Sequence, residues 1–399
     1  LHGYEGKKEF DFCIFAKRIK MRVYLDNAAT TPMATEVVDA MVDVLQNHYG
    51  NPSSIHAFGR DAKALLETSR RNIARHLNCL PSELFFTSGG TEADNLACHI
   101  AFQNLGVKRI ISTTIEHHAV GHTVEMYRDR FQVQVHYLTL DGQGHIDLTE
   151  LASLLKDPIP TLVSLMHANN EIATLIPLDQ VAALCRTHGA YFHSDTVQTM
   201  GHYPFDLKAL DIDFITCAGH KFHGPKGIGF LYVNKRINWS PMLLGGSQER
   251  GIRGGTENLS GIVGLSKAFD LAYEDLQGHQ THVQGLKSYM IERLKAHFSD
   301  LTFHGDTRPE GSLYTVLNVS FPATEKASML LFTLDLKGIA ASGGSACSSG
   351  ASTGSHVLQG IGADMKRPNV RFSFSRYTSK EEIDFALEQV FSAFAVALA

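Results

Sequence analysis

The chain has no Cys-x-x-Cys pair, no apolar run long and uncharged enough to span a bilayer, and no dominant sign of charge. Each absence removes a class of protein. The six cysteines (Cys13, Cys79, Cys98, Cys185, Cys217, Cys347) are scattered, which suits a reducing compartment and buried thiols better than a disulfide framework. Without a membrane-length segment the chain reads as cytoplasmic, with no membrane partner. A net charge of -5 gives no electrostatic reason to expect nucleic acid. The 21 histidines raise the idea of a metal-binding scaffold. Neither His220/His223 nor His117/His118/His122 comes with the carboxylates or cysteines of a recognisable zinc motif, so no metal site is assigned.

What is present is an ordinary globular composition, 44% hydrophobic and 19% charged over 399 residues, enough for a large core and two domains. Residues 1–20 mix both charge signs around Phe12-Cys13-Ile14-Phe15-Ala16. They fit neither a secretory nor a transit segment and are set apart as an extension expected to be non-native or disordered, with Met21 as the physiological start. From about residue 34 to 275 helical stretches alternate with short apolar runs: Leu84–Thr87, Arg109–Thr113, Val133–Leu140, Thr161–Met166, Tyr191–Ser194, Phe214–Cys217 and Gly229–Val233. This is the pattern of an α/β fold with helices on both faces of a mostly parallel sheet. Beyond about residue 276 the order changes to a long helix, strands at Leu301–His304 and Thr315–Ser320, a helix, a strand at Asn369–Ser375 and a closing helix, which reads as a smaller α+β domain. The expected division is a large domain over 31–275 and a small one built from 21–30 and 276–399. The small domain carries a loop at 342–355, rich in glycine and serine and expected to be mobile.

Ligands of open α/β sheets collect beyond the carboxyl ends of the strands. Here those ends carry Ser88-Gly89-Gly90-Thr91, Glu116-His117-His118, His167-Ala168-Asn169-Asn170, Asp195 and Lys221, so the polar groups should converge on one crevice. Lys221 is the most informative of them, an amine delivered by an apolar strand into the bend Ala218-Gly219-His220-Lys221-Phe222-His223-Gly224. A lysine to hold an aldehyde and an aspartate for a pyridinium nitrogen are the two groups pyridoxal phosphate asks of a protein. Alone, Lys221 would pass as a surface lysine and Asp195 as a helix cap. Together they point to that cofactor.

Gly89 and Gly90, between a strand and a helix, let an anion approach free backbone N–H groups, although a cap made by Thr91 competes as an explanation. Ser194 and His220 lie near enough to add phosphate contacts. His117 can stack on a ring and move a proton, its alternative being a hydrogen-bonded core histidine. Asn170 and Gln198 can hydrogen-bond a ring hydroxyl. Alternation along Val370-Arg371-Phe372-Ser373 puts Arg371 on the face of Ser373, where it meets either a substrate carboxylate or an acid of the protein. Cys347, among glycines and serines, reads as a tethered nucleophile rather than a packed thiol.

The strings Tyr24-Leu25-Asp26-Asn27-Ala28-Ala29-Thr30-Thr31-Pro32, Tyr49-Gly50-Asn51-Pro52-Ser53-Ser54, Phe86-Thr87-Ser88-Gly89-Gly90-Thr91-Glu92, Met166-His167-Ala168-Asn169-Asn170-Glu171, Gly219-His220-Lys221 and Gly344-Ser345-Ala346-Cys347 resemble the cysteine desulfurases of the NifS/IscS type, a class V aminotransferase family, from about residue 22 to the end. The resemblance implies a homodimer of fold-type I pyridoxal phosphate enzymes. It implies Lys221 as the covalent anchor, His117 as the stacking base, Asp195 and Gln198 as ring contacts, and Cys347 as the persulfide carrier. Thr256 matches the residue that reaches the phosphate of the partner subunit. The implied reaction turns L-cysteine into L-alanine and passes the sulfur to acceptor proteins, an iron–sulfur scaffold or a tRNA-thiolation protein. Selenocysteine lyase, or another class V enzyme, is the alternative within the same fold. One departure stands out: Ala218 occupies a place where the family commonly has a serine hydroxyl on the phosphate. Gly90 for the more usual alanine only widens the permitted backbone geometry.

Overall fold

The computed structural model describes residues 21–324, 329–343 and 354–395. The extension at 1–20 and the stretch 344–353, with Cys347, lie outside the described residues. In chain order the strands are β1 (Val23–Tyr24), β2 (Leu84–Thr87), β3 (Arg109–Ser112), β4 (Gln134–Tyr137), β5 (Thr161–Ser164), β6 (Tyr191–Asp195), β7 (Phe214–Ala218), β8 (Gly229–Val233), β9 (Thr302–His304), β10 (Val316–Ser320), β11 (Ile339–Ala340) and β12 (Asn369–Ser373).

Seven of them form one sheet in the order β2-β8-β7-β6-β5-β3-β4. The pairs β3–β4, β3–β5, β5–β6 and β6–β7 are parallel, and β8 alone runs antiparallel to both of its neighbours. The strands are apolar on both faces because both faces are covered. Adjacent residues of one strand enter opposite cores: Ile110, Leu162 and Leu231 join one, Ile111, Val163 and Phe230 the other. The first core includes Leu96, Ala97 and Ile100 of the helix Gly90–Asn104, and the second Leu66 and Ile73 of the helix Ala57–His76. Only the edge strand β4 shows the alternating exposure of a half-covered strand. The chain order along the sheet reverses between β3 and β5, whose carboxyl ends therefore open a crevice.

A second, antiparallel sheet has the order β12-β10-β9 and packs under the helices Leu276–His297 and Lys380–Ala395. Val370 and Phe372 enter its core with Leu317, Val319, Met290 and Leu387, so period-two alternation turns Arg371 and Ser373 to the other face. The parallel pair β1–β11 was not foreseen, because two-residue strands carry no readable period.

The segment from Leu25 to Thr31 joins the two sheets. Asn27 donates to the Ser373 carbonyl at 2.9 Å and the Ala28 N–H donates to Ser373 Oγ at 2.8 Å. Three residues on, Thr31 donates through both its N–H and its hydroxyl to the His220 carbonyl, each at 2.9 Å. One short stretch is thereby fastened to the last strand of the small sheet and to the bend that carries Lys221.

Candidate active site

A cavity of about 220 Å³ opens at the carboxyl ends of the large sheet, lined among others by Gly90, Thr91, His117, Asn170, Asp195 and Lys221. All five strand ends singled out in the sequence contribute to it, and Gln198, His220 and Arg371 complete the wall.

Lys221 is delivered by β7 through the turn Gly219–Lys221. Its Nζ donates to the Ala28 carbonyl at 2.6 Å and the Ala29 carbonyl at 2.9 Å. Gln198 Nε2 donates to the same Ala28 carbonyl at 3.1 Å. These neutral acceptors hold the amine in the cavity wall.

Asp195 ends β6, and its Oδ1 accepts the Val197 N–H at 2.9 Å. Burial pushes its carboxyl well above the usual carboxylate range, with nearby Asp94 adding to the push. An aspartate in that position needs a cation opposite it to carry its charge comfortably. His117 caps the helix His118–Phe131, and its Nδ1 accepts the Ala119 N–H at 3.2 Å. That bond places the proton of the neutral ring on Nε2 and fixes the ring plane. Burial holds His117 below its ordinary value, Asp195 opposes this, and Lys221 adds to the lowering. His220, bonded through Nδ1 to Thr30 Oγ1 at 3.2 Å, is driven down to about 4 by burial and then by Lys221, so it is neutral.

The turn after β2 needs glycine at 89 and is tight at 90, where an alanine would oblige Val197 to shift. Gly89 has φ of +150°, and a Cβ on Gly90 would stand 2.8 Å from Val197 Cγ2. No side chain caps the helix that follows: Thr91 lies inside it rather than at its cap, so the capping explanation for Thr91 does not hold. Glu92 instead accepts the Ser88 N–H at 2.7 Å and pairs with Arg253 at 2.8 Å. The helix start is left open to an anion.

Arg371, 1% exposed, reaches across from β12. It donates to Asp26 Oδ1 at 2.8 Å and to the Asn170 carbonyl at 3.0 Å, while its Nε has no hydrogen bond. An acid of the protein thus orients the guanidinium, and the guanidinium also lines the cavity. Asp26 Oδ1 also accepts the Ser342 hydroxyl at 2.8 Å, and Ser342 pairs with Arg371 through the backbone.

Two placements differ from the sequence reading. Ser194 is fully buried, is absent from the cavity wall and makes no side-chain hydrogen bond, because alternation turns it away from the face of Asp195. His118 leaves the crevice, stacking on His122 at a ring separation of 4.8 Å and packing at a tilt against His356 at 4.4 Å. Thr256, expected to serve the partner subunit rather than its own chain's site, is exposed and outside the cavity of this chain. Asp26, Ala28, Ala29 and Asp94 were missed as site residues. The first three sit in the Tyr24–Pro32 string, which the resemblance singled out without a role for them, and helical spacing from Gly90 was the available signal for Asp94. Among the described residues one group of donors could hold a metal ion, Asp94, His117 and Asp195, with ligand atoms within 4.8 Å of one another. Burial pushes the Cys98 thiol up to about 12, and Cys185 and Cys217 higher still, so none of these three is a ready thiolate.

Residues 23–385 match the family model for class-V aminotransferases. The chain is 40% identical over 375 residues to the cysteine desulfurase IscS of Dictyoglomus turgidum, covering 93% of this chain and 94% of that relative. It is similar in structure to a NifS-like protein, with a TM-score of 0.86 and 36% identity over 94% of this chain and 100% of the other. It also resembles SspA solved in complex with cysteine, with a TM-score of 0.77 and 30% identity over 90% of this chain and 100% of that one.

Proposed function

The chain belongs to the class-V aminotransferase family and is a cysteine desulfurase within it, and from that premise we propose that it binds pyridoxal 5'-phosphate on Lys221 and carries sulfur from L-cysteine as a persulfide on Cys347. The observation that carries the reading is the Lys221 amine, held by the Ala28 and Ala29 carbonyls in one cavity with Asp195, His117 and Arg371.

The residues present fit the cofactor. The open helix start at Gly90 and Thr91 suits its phosphate, with His220 beside it, and Asn170 and Gln198 suit the ring hydroxyl. Asp195 finds in a protonated ring nitrogen the cation that its burial demands. When bound, the group supplies an electron sink for the α-carbon of the amino acid. Arg371, kept in place by Asp26 and the Asn170 carbonyl, grips the substrate carboxylate. Lys221 Nζ carries a proton to and from the α-carbon, and His117 Nε2 exchanges one with the leaving sulfur. Cys347 Sγ then attacks that sulfur: the C–S bond of cysteine breaks, an S–S bond forms on the protein, the carbon keeps the electron pair and takes up a proton, and alanine leaves.

A second copy of the chain belongs to this reading, with the exposed Thr256 reaching the partner's phosphate site. The sulfur acceptors are an iron–sulfur scaffold or a tRNA-thiolation protein. No described helix is long and apolar enough to cross a membrane. The function proposed here is cytoplasmic.

The decisive experiment is mass spectrometry of the purified holoenzyme after L-cysteine. One extra sulfur on Cys347, with alanine formed, supports the reading; cysteine consumed with no sulfur on Cys347 overturns the persulfide step. A second expectation concerns Ala218, which lines the cavity with its Cβ 3.7 Å from the place a Gly90 Cβ would take. Ala218→Ser restores a hydroxyl beside the phosphate turn and should tighten cofactor retention by ~0.5–3 kcal/mol, read as slower loss on dialysis.

A further inference from the structure

Asp94 is the one titratable side chain of the cavity wall to which the reading above gives no role. It lies on the helix Gly90–Asn104 four residues after Gly90, and so on the face that meets the cofactor turn. The residue is 1% exposed. Thr216 hydrogen-bonds its carboxyl, but Oδ1 makes no hydrogen bond and has His193 Nε2 at 3.4 Å. Ligand atoms of Asp94, Asp195 and His117 stand within 4.8 Å of one another, so two buried carboxyls share one floor.

The groups facing Asp94 supply no cation. From β6 come His193 and Asp195, and burial drives His193 down to about 4. From the turn after β3 come His117 and Glu116; burial raises Glu116 to about 8, and its Oε2 is occupied by the Met166 N–H. From its own helix comes Cys98, which burial keeps as a thiol. The cations of the cavity are engaged elsewhere, Lys221 by Ala28 and Ala29 and Arg371 by Asp26 and Asn170. A buried carboxylate with an unsatisfied oxygen and no facing cation is costly, and the protonated form removes most of that cost. Burial accordingly lifts Asp94 to about 7.

We propose that Asp94 is a positioning residue for Asp195: an uncharged second carboxyl that braces the cavity floor and leaves to Asp195 alone the negative charge facing the ring nitrogen of the cofactor. The inference rests on the reading of the cavity as a pyridoxal phosphate site. His193 belongs to the same brace, bonded through Nδ1 to Ser164 Oγ at 2.8 Å and through Nε2 to Thr216 Oγ1 at 3.1 Å. Two carboxylates this close would raise each other, and the one facing the ring would lose its charge for part of the time.

The test follows cofactor release from holoenzyme by the loss of its visible absorbance, for wild type, Asp94→Asn and Asp94→Ala, across pH from acid to alkaline. Asparagine keeps the shape without the charge and should retain the cofactor like wild type below neutrality. Alanine, which removes the brace, should release it about tenfold faster, the equivalent of one unit in the pKa of the group it supports. Above neutrality wild-type Asp94 gives up its proton and asparagine cannot, so the ratio of wild-type to Asp94→Asn release rates should rise with pH. A ratio flat with pH, or an asparagine variant as leaky as alanine, overturns the proposal. Should the variants not fold, wild type still decides, since release that does not quicken above neutrality contradicts it. Every arm reads occupancy rather than turnover. Failure of the desulfurase reading, seen as no alanine from cysteine, leaves these results standing; a wild type that takes up no cofactor sinks both.

Discussion

Lys221→Ala is expected to give a folded protein that takes up pyridoxal phosphate weakly and turns over no cysteine. Two functions go at once. The covalent tether is lost, so borohydride, which should fix the cofactor irreversibly to Lys221 in wild type, should fix none in the variant. The proton carrier at the α-carbon is lost as well, and general acid–base assistance of this kind is worth roughly 10²–10⁴-fold by itself. The variant should nonetheless fold, because Thr31 and His220 join by hydrogen bonding the same two segments that the amine bridges through the Ala28 and Ala29 carbonyls. Circular dichroism and thermal melting should match wild type within the ordinary spread of substitutions at half-exposed positions. Turnover above a tenth of wild type, or borohydride labelling at another lysine, would remove Lys221 from the reaction. The same labelling separates the enzyme from a metal-binding scaffold, which has no reason to colour or to react.

Cys347→Ser should do the reverse, leaving the bound cofactor and its absorbance intact while abolishing sulfide release from cysteine. The serine hydroxyl is too weak an acid to offer an anion at neutral pH, whereas an unperturbed thiol near ~8.5 already supplies a minor thiolate fraction that the cavity can raise. Substrate should still bind, since Arg371, Asp26 and Asn170 are untouched. A spectral change on adding cysteine, without alanine appearing, is the signature. Sulfide release that persists in the variant would refute sulfur transfer to Cys347, and rapid consumption of selenocysteine by the same variant would favour the lyase alternative.

Much of the large sheet could be read in the sequence because its strands are buried on both sides. Leu84–Thr87, Gly229–Val233 and the runs at Arg109 and Thr161 are short, apolar and separated by helical stretches, which is how a covered parallel sheet must look. Strand ends were less legible. The run Val133–Leu140 holds only Gln134–Tyr137 as strand, because its partner β3 ends at Ser112 and a strand stops where its ladder stops. The direction of β8 left no mark, since parallel and antiparallel central strands bury the same kinds of residue.

The site was legible where one residue type has few other reasons to stand at a strand end. Lys221, Asp195 and the glycines at 89 and 90 are of that kind. Ser194 misled because a polar residue beside Asp195 looks available until alternation is applied to both. Asp26, Ala28 and Ala29 were opaque for another reason: two of them act through carbonyl groups, which any residue possesses. Asp94 was hidden inside a helix, where an acid ordinarily signals a solvated face, and only its neighbours on β6 and β7 reveal the burial.

The stretch from Leu25 to Thr31 has a consequence for how the molecule is made. Its partners Ser373 and Arg371 lie about 345 positions downstream, so a ribosome must deliver that whole intervening length before the amine and the guanidinium can face each other. A nascent chain stopped short of residue 371 can pack the larger sheet and still have no place for an amino acid. Assembly of the pocket therefore waits on a segment translated about 345 residues after one of its walls.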